Sequence, residues 1–278
     1  MKKHGKNRAV IILKYAALIL IVLLFLLPIV YMLANSVMTS SEIVESYTTS
    51  PEHYANFHLI PDQFSLEQYY QAFLRRPQFL NYFWNSLLIT VPIVVIQTMV
   101  SIFAAFAFTK LRFPFRDALF FIFIILLIMP SWVTMVPNYM MIQRMGLLDT
   151  IWALILPSAF TAFGVCLLRQ YMRYVPDDAI EAARIDGAST LKILFKIVIP
   201  QVKGGIAALM ILTFIDNWNM VEQVVIYITD KDKYPLSVAL SSFGTTDPGV
   251  IFACGVIFMI PPLLLYLYHS KEFKNSKV

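Results

Sequence analysis

Charged side chains are scarce in this chain: only 14% of its 278 residues are Asp, Glu, Lys or Arg, whereas 59% are hydrophobic. A soluble domain is about a quarter charged and about half apolar. The mean hydropathy is +0.69. This composition excludes a soluble globular domain and predicts an all-α integral membrane protein. A pI of about 9.1 would suggest a nucleic-acid partner in a soluble protein, but here we expect none, because the basic residues have a topological explanation.

The chain also lacks the motifs that build common catalytic and metal sites. Its two cysteines, Cys166 and Cys254, lie in apolar runs and indicate neither a disulfide framework nor a metal site. The four histidines show no metal-site spacing: His4, His53, His58 and His269. There is no Gly-x-x-x-x-Gly-Lys-Ser/Thr loop for ATP, no Gly-x-Ser-x-Gly elbow and no His-Glu-x-x-His pair. We therefore expect no reaction on this chain, and no metal or cofactor bound by it.

What the chain has instead is long apolar runs. The first, Ala16–Ala34, is too long for a signal-peptide core and has no convincing cleavage site after it, so it predicts a retained span. Each run has the length that a hydrocarbon core of about 30 Å demands of a helix. The remaining runs lie near Leu87–Phe108, Ala118–Val136, Ile151–Leu168, Gly204–Tyr227 and Gly249–Tyr268. The sequence therefore predicts six transmembrane helices.

The distribution of lysine and arginine predicts the orientation. Seventeen of the 22 lie in the N-terminal tail, in 109–116, in 169–203 and in the C-terminal tail. Because cytoplasmic loops are rich in these residues, both termini are predicted to be cytoplasmic. The predicted segments are a cytoplasmic tail 1–14, a first helix 15–34, an external segment 35–82, a five-helix core 83–268 with a cytoplasmic loop 169–203, and a cytoplasmic tail 269–278.

The external segment carries a helix signal of its own. Ser65 and Gln68 have the spacing of a capping box, and Leu66, Tyr69 and Phe73 recur at helical spacing. This pattern predicts a short amphipathic helix at the outer membrane surface.

The longest interval with several polar residues in this apolar chain is 181–200, EAARIDGASTLKILFKIVIP. Asp178 and Glu181 have capping-box spacing, so Asp178 is predicted to cap a short helix that runs to about residue 186. Gly187 is expected to reverse the chain just after that helix. Ser189 is expected to begin a second helix, and Pro200 to close the stretch where a span begins. The exposed alanines between charged edges suit a helix that docks into a groove of another protein.

These residues carry a resemblance to a known family. The pattern E-A-A-x-x-D-G-A, followed by Phe195, Ile197 and Pro200, resembles the EAA loop of permease subunits in ABC importers. Segments 61–69, 110–116 and 146–150 are also similar to the carbohydrate-type permeases, such as the maltose-transporter subunits, and the likeness covers about residues 60–265. The C-terminal sequence HSKEFKNSKV departs from that family, whose tail is aromatic-rich, as does the sequence after Trp218-Asn219.

The resemblance implies a function and a set of partners. It implies the ABC importer permease fold in a bacterial plasma membrane, with a sugar or oligosaccharide as substrate. The implied partners are a second homologous permease subunit, two ATP-binding subunits that hold ATP and Mg, an extracytoplasmic substrate-binding protein, and membrane lipid. The loop would be the coupling helix that docks on the ATPase. The residues implied to couple are Asp178, Glu181, Ala182, Ala183, Asp186 and Gly187.

The fifth predicted span holds a polar cluster: Asp216, Asn217, Trp218, Asn219, Glu222 and Gln223. Carboxylates within a span are costly and usually face a bundle interior or a watery cavity. In one continuous helix, Asp216, Asn219 and Gln223 would share a stripe with Glu222 beside it, whereas Trp218 would point elsewhere. Such a stripe suits sugar hydroxyls, with the ring of Trp218 nearby for stacking. The alternatives are that the span ends near residue 215 and the cluster is an external loop, or that it pairs with a partner subunit.

Other function classes also fit parts of the pattern. A secondary transporter driven by an ion gradient could use Asp216 or Glu222 as its ion site, although no inverted repeat is evident. A membrane-anchored assembly subunit is a third possibility. Pro130, Pro137 and the pair Pro261-Pro262 interrupt or bound two of the spans and predict hinges or packing kinks.

Overall fold

The computed structural model describes residues 2–47, 60–75, 78–242 and 248–275, and all regular structure in these ranges is helical. His53, His58 and part of the predicted external segment lie outside the described residues. The helices are α1 Lys2–Ser36, α2 Ser40–Tyr47, α3 Glu67–Tyr70, α4 Gln78–Lys110, α5 Arg116–Ile128, α6 Ser131–Arg144, α7 Trp152–Ala159, α8 Ala162–Arg173, α9 Asp177–Ile185, α10 Thr190–Ile193, α11 Ile199–Gln201, α12 Lys203–Trp218, α13 Glu222–Tyr227, α14 Leu236–Ser242 and α15 Pro248–Asn275.

Between four and six segments can cross a membrane by length and composition. Four are long enough by themselves: Ile11–Ser36, Gln78–Lys110, Trp152–Arg173 and Pro248–Ser270. Two more are bent pairs, in which α5 and α6 meet at 104°, and α12 follows the residue 190–201 segment at 79°. The prediction of a helical membrane protein is confirmed. The break between α5 and α6 agrees with the predicted interruption of the third span, whereas the predicted fifth span, 204–227, is not one continuous helix.

Pro130 lies at a break between two helices, whereas Pro261 and Pro262 do not. Pro130 stands directly before α6 with an extended backbone (ψ 138°), and the chain turns there. By contrast, Pro261 and Pro262 lie inside the continuous helix α15, so they do not break the sixth span, and a packing kink there stays a prediction. Membrane helices tolerate proline where neighbouring groups satisfy the freed carbonyls.

One compact unit comprises residues 1–79 and 240–259. In it α1 packs on the first half of α15: the rings of Tyr31 and Phe252 meet edge to face at 5.8 Å. The predicted capping box is only half formed: Ser65 Oγ accepts from the amide of Glu67 at 3.1 Å, at the first residue of α3, but the amide of Ser65 donates to Val37 O at 2.8 Å rather than to Gln68. Gln68 instead donates from its side-chain amide to Ser40 Oγ of α2, at 3.2 Å. The helix after Ser65 is one turn long, followed by a π-helical turn 71–75.

The other unit comprises residues 80–239 and 260–278 and contains both segments predicted to be functional. Two buried apolar clusters organise it. One joins α4, α6, α7 and α13, and the other joins α4, α8, α9, α10 and α12. Helices α8 and α12 approach closely at Gly205, where a Cβ atom would lie 2.5 Å from Tyr171 Cγ. This packing sets the positions of the broken spans described next.

Candidate functional site

A polar cavity of about 850 Å³ lies within the second unit. Its walls come from α4, from the first turns of α6, from the break between α7 and α8, and from the end of α12 with the turn into α13. Its polar lining residues are Gln97, Ser131, Thr134, Asn138, Ser158, Thr161, Thr213, Asp216, Asn217, Asn219, Glu222, Gln223 and Tyr227. A cavity of this size among apolar helices can hold a hydrated or hydroxyl-rich molecule.

The end of α12 explains why part of the predicted polar cluster lines this cavity. The helix stops at Trp218, so a continuous fifth span to residue 227 is wrong. The side-chain amides of Asn217 and Asn219 donate to the carbonyls of Thr213 and Ile215, at 2.8 and 2.7 Å. Such side-chain bonds to the preceding turn compete with the backbone and favour a helix end.

The predicted pathway residues therefore separate into two groups. Asp216, Asn219, Glu222 and Gln223 all line the cavity, although the last two belong to α13 rather than to a stripe on one helix. Trp218 is 1% exposed and does not line it. Its ring stacks on Phe214 at 5.3 Å, and a stacking role toward substrate is therefore wrong. Trp218 is a core residue because it points to the opposite side of the last helical turn.

Sequence reasoning missed most of the other cavity walls. Gln97 on α4 donates to Thr161 Oγ1 at 2.6 Å, which ties α4 to the break between α7 and α8. Thr213 is 4% exposed, and its hydroxyl finds no hydrogen-bond partner among the described residues. A signal was present in Gln97, since an amide inside a long apolar run usually faces a bundle interior.

The second candidate site is the segment that follows α8. Helix α9 begins after Pro176, and no side chain caps it, so the predicted capping box from Asp178 is wrong. Asp178 lies in the first turn instead, where a carboxylate is favoured by the helix dipole. Proline occupies the N-cap position, so the acidic residues shift inside the helix.

The end of α9 matches the sequence prediction. Gly187 has φ +78°, and the amides of Gly187 and Ala188 donate to the carbonyls of Arg184 and Ala183 at 3.0 and 2.9 Å. This pair of bonds is a Schellman motif, which needs a left-handed residue after the helix. Ser189 then caps α10, accepting at Oγ from the amide of Lys192 at 3.4 Å.

Two contacts hold α9 against the membrane helices. Ile180 is 3% exposed and packs in the cluster of α4, α8 and α12. Lys110, at the end of α4, donates to Val175 O at 2.6 Å and to Asp177 Oδ1 at 2.7 Å. This hydrogen bond and ion pair hold the pKa of Asp177 below its usual value. The start of α9 is thus fixed to the end of the same helix that carries Gln97 in the cavity wall.

The opposite face of α9 is open in this chain. Glu181, Ala182, Arg184 and Asp186 are exposed, and Ile185 is 87% exposed. Ile185 is thus open to its surroundings between the charged side chains of Arg184 and Asp186.

The segment after α10 differs from the prediction in one respect. Residues 194–198 form a π-helical turn, and Phe195 packs edge to face on Phe103 of α4 at 6.2 Å. Pro200 lies inside the one-turn helix α11, and the chain bends after it, at Val202. Helix α12 then begins at Lys203, next to the predicted start of the fifth span at Gly204.

Comparison with known proteins identifies the family. Residues 97–269 match the model of the binding-protein-dependent transport system inner membrane component. The chain belongs to this family. It is 30% identical to the polygalacturonan/rhamnogalacturonan transport system permease protein YtcP of Bacillus subtilis (strain 168), over 98% of this chain and 97% of that one. It is 27% identical to the diacetylchitobiose uptake system permease protein NgcG of Streptomyces coelicolor, over 98% and 89%.

A solved structure agrees with the assignment at the level of fold. The chain is similar to one from the crystal structure of a bacterial ABC transporter involved in the import of the acidic polysaccharide alginate, with a TM-score of 0.84 and 24% identity, over 96% of this chain and 98% of that one. The family places this chain in the inner membrane as the permease component of an ABC importer, and ATP is hydrolysed by a separate ATPase. The described residues hold no cluster of three or more metal-binding side chains.

A third feature of this permease was not predicted: a polar clamp between two loops. Asp149 has φ +61° and accepts at Oδ1 from the amides of Thr229 and Asp230, at 3.0 and 2.9 Å. Lys233 pairs with both Asp149 and Asp230, at 3.2 and 3.3 Å. The clamp fixes the loop between α6 and α7 to the residues just after α13. The first residues of α13 line the cavity.

Gly187 provides a test of the Schellman motif. No atom lies within 4 Å of a Cβ built there, so substitution acts only through backbone conformation. Gly187→Val should make the loop about tenfold more sensitive to trypsin at Arg184 and Lys192, because the left-handed conformation costs a bulky residue about 1–2 kcal/mol. Gly187→Asn is the control and should cleave nearly as slowly as wild type, since asparagine tolerates this conformation. Equal cleavage of the Val variant and wild type would contradict the motif.

The clamp predicts a pH dependence. The amide hydrogen bonds from Asp230 and Thr229, with Lys233, hold the pKa of Asp149 below its ordinary value of 3.8. A carboxyl whose folded pKa is lowered stabilises the protein above its unfolded pKa, and this stabilisation is lost as pH falls through the folded pKa. The melting temperature should therefore fall as the pH drops toward and below the ordinary pKa of 3.8, and fall less in Asp149→Asn, which keeps the acceptor oxygen but not the charge.

The control for this measurement is Glu45→Gln, which removes an exposed carboxylate from α2. It should keep the wild-type slope of melting temperature against pH. An Asp149→Asn slope that equals the wild-type slope would show that the clamp carboxylate does not contribute.

Proposed function

We propose that this permease translocates a sugar or oligosaccharide through the polar cavity of its second unit. The observation that carries the proposal is the cavity itself, whose walls bring amides, hydroxyls and two carboxylates together beside apolar side chains. Such groups match the many donors and acceptors of a sugar. The names of YtcP and NgcG, which both refer to carbohydrates, support the same substrate class.

The proposed topology has six spans with both termini in the cytoplasm. Four long helices and two bent pairs supply six candidates. The lysine and arginine distribution supports the orientation, because 169–203 and both tails are the basic segments. In this topology α9 lies on the cytoplasmic side, and the Asp149 clamp lies on the external side.

The proposed coupling element is α9 with the turn after it. Asp178, Glu181, Ala182, Ala183, Asp186 and Gly187 would form or shape the surface that docks on the ATPase. The exposure of Ile185 and of the surrounding charged residues supports this role. Because Lys110 ties the start of α9 to α4, and Gln97 lies 13 residues earlier on that helix, about 20 Å away, movement of α9 would be transmitted toward the cavity.

The proposed transporter contains further subunits beside this chain. A second homologous permease subunit would line the other half of the pathway, two ATP-binding subunits would bind ATP and Mg, and an extracytoplasmic binding protein would deliver the sugar. This chain itself would bind no cofactor. A ligand or nucleotide shifts such a transporter between states only through different affinity for the two states.

Labelling of single cysteines tests the topology. In a background of Cys166→Ala and Cys254→Ala, Lys231→Cys should react with a membrane-impermeant maleimide on intact cells, because its loop is placed outside. Ser189→Cys should react only after permeabilisation, since the positive-inside rule places its loop in the cytoplasm. Both positions are exposed, so lack of reaction reports sidedness rather than burial. Labelling of Ser189→Cys from outside would invert the topology.

Uptake by the complete complex in vesicles tests the function. Sugar uptake should require ATP.

Glu181→Lys should reduce uptake at least tenfold, which corresponds to a free-energy change of about 1.4 kcal/mol, while the complex remains inserted in the membrane. Asp216→Asn should reduce uptake at least about tenfold while basal ATP hydrolysis persists, because a hydrogen bond to a charged group contributes about 1.5–3 kcal/mol. Asn219→Ala should reduce uptake by up to about tenfold, because a hydrogen bond between uncharged groups contributes about 0.5–1.5 kcal/mol. Glu67→Lys, which reverses an exposed charge in the first unit, is the control and should transport normally.

The rival classes give different outcomes in the same vesicles. An ion-driven transporter would accumulate sugar on an ion gradient without ATP, and Asp216→Asn would abolish accumulation yet leave exchange intact. An assembly subunit would show no uptake under either condition. Full uptake by both Asp216→Asn and Asn219→Ala would remove the cavity residues from the pathway.

A further inference from the structure

The charge of the cavity wall is one-sided. Among the described residues that line it, Asp216 and Glu222 are acidic and none is Lys, Arg or His. Both carboxylates are exposed within this chain, one in the last turn of α12 and the other at the start of α13. The remaining polar groups of the wall are uncharged amides and hydroxyls.

Several cations of the same unit are engaged away from the cavity. Lys233 pairs with Asp149 and Asp230, and Lys110 pairs with Asp177. The guanidinium of Arg169 lies over the ring of Phe120, 3.6 Å from its centroid. These contacts leave the two carboxylates as the charges of the wall, with no compensation from the described lining residues.

A cavity bounded by apolar helices strengthens the effect of such charges. Low-dielectric walls focus the field of like charges and raise or lower the local concentration of a charged solute. A carboxylate accepts hydrogen bonds and donates none, so it binds a hydroxyl and repels another carboxylate or a phosphate. Amides both donate and accept, which suits hydroxyl, ring-oxygen and N-acetyl groups.

We propose that this permease carries uncharged oligosaccharides and discriminates against uronates and phosphorylated sugars, with Asp216 and Glu222 as the residues that determine this specificity. The inference rests on the proposed function of the cavity and adds the charge class of its substrate. The names of its relatives leave that class open, because YtcP is named for acidic polygalacturonan, NgcG for neutral diacetylchitobiose, and UgpE of Pectobacterium atrosepticum, 32% identical over 70% of this chain and 71% of that one, for sn-glycerol-3-phosphate.

The experiment compares matched sugars in the complete complex. Uptake is measured for 1,4-linked galactotriose and for trigalacturonate, which differ only in oxidation at C6, and for diacetylchitobiose. The melting temperature of the purified complex is measured with each sugar and without the binding protein, so that the selectivity of that protein does not set the result. A neutral sugar should be carried and should raise the melting temperature, and trigalacturonate should do neither.

Charge variants test whether the cavity sets this preference. In Asp216→Asn combined with Glu222→Gln, the ratio of uronate to neutral-sugar response should rise at least about tenfold, since like-charge repulsion is removed. Asn219→Lys should raise the same ratio by placing a cation in the wall, which protects the test against misfolding of the double variant. Glu45→Gln removes one exposed carboxylate from the other unit and should leave the ratio unchanged.

The outcomes distinguish the charge preference of the cavity from sugar transport itself. A wild-type complex that carries trigalacturonate as well as galactotriose overturns the charge inference but leaves sugar transport standing. A ratio that stays constant in both the double variant and Asn219→Lys also overturns it. If no sugar is carried and none raises the melting temperature, the proposed function itself fails and the inference fails with it.

Discussion

The structure depends on one constraint: inside a membrane, every backbone N–H and C=O must find a partner. Regular helices meet it without help, and irregular backbone is tolerated only where protein or a water-filled cavity satisfies the freed groups. Three helix breaks in the second unit, before α6, between α7 and α8 and after α12, all contribute residues to one cavity wall. The breaks therefore create the polar cavity, and the cavity makes the breaks tolerable.

Helix α4 relates the cavity to the segment that contains α9. Because α4 is continuous from Gln78 to Lys110, it is a rigid element with Gln97 in the cavity wall and Lys110 at the start of α9. The break between α7 and α8 is bonded to this helix through Thr161. A displacement of α9 therefore acts on an element that reaches the cavity without an intervening hinge.

Local chemistry accounts for the predictions that succeeded. Gly187 reverses the chain and Ser189 caps the next helix because both roles need only a residue's own backbone preference or a bond to an amide three residues later. Neither of the two predicted capping boxes forms in full, and the reasons differ. Pro176 takes the N-cap position before Asp178, and Gln68 is drawn to Ser40 of another helix. A capping pattern identifies an acceptor, but it does not exclude a competing partner.

The sequence by itself determined the all-helical membrane character, the approximate spans and the family, because hydropathy and the EAA motif are local in the chain. Only the tertiary structure decided which polar residues share a wall. Glu222 and Gln223 line the cavity from α13 rather than from a stripe on one helix, because α12 ends at Trp218 and the chain turns there. Asp149 and Lys233 are brought together across 84 residues by the packing of α7 against α13. Long-range contacts of this kind depend on how helices pack, and no local pattern encodes that.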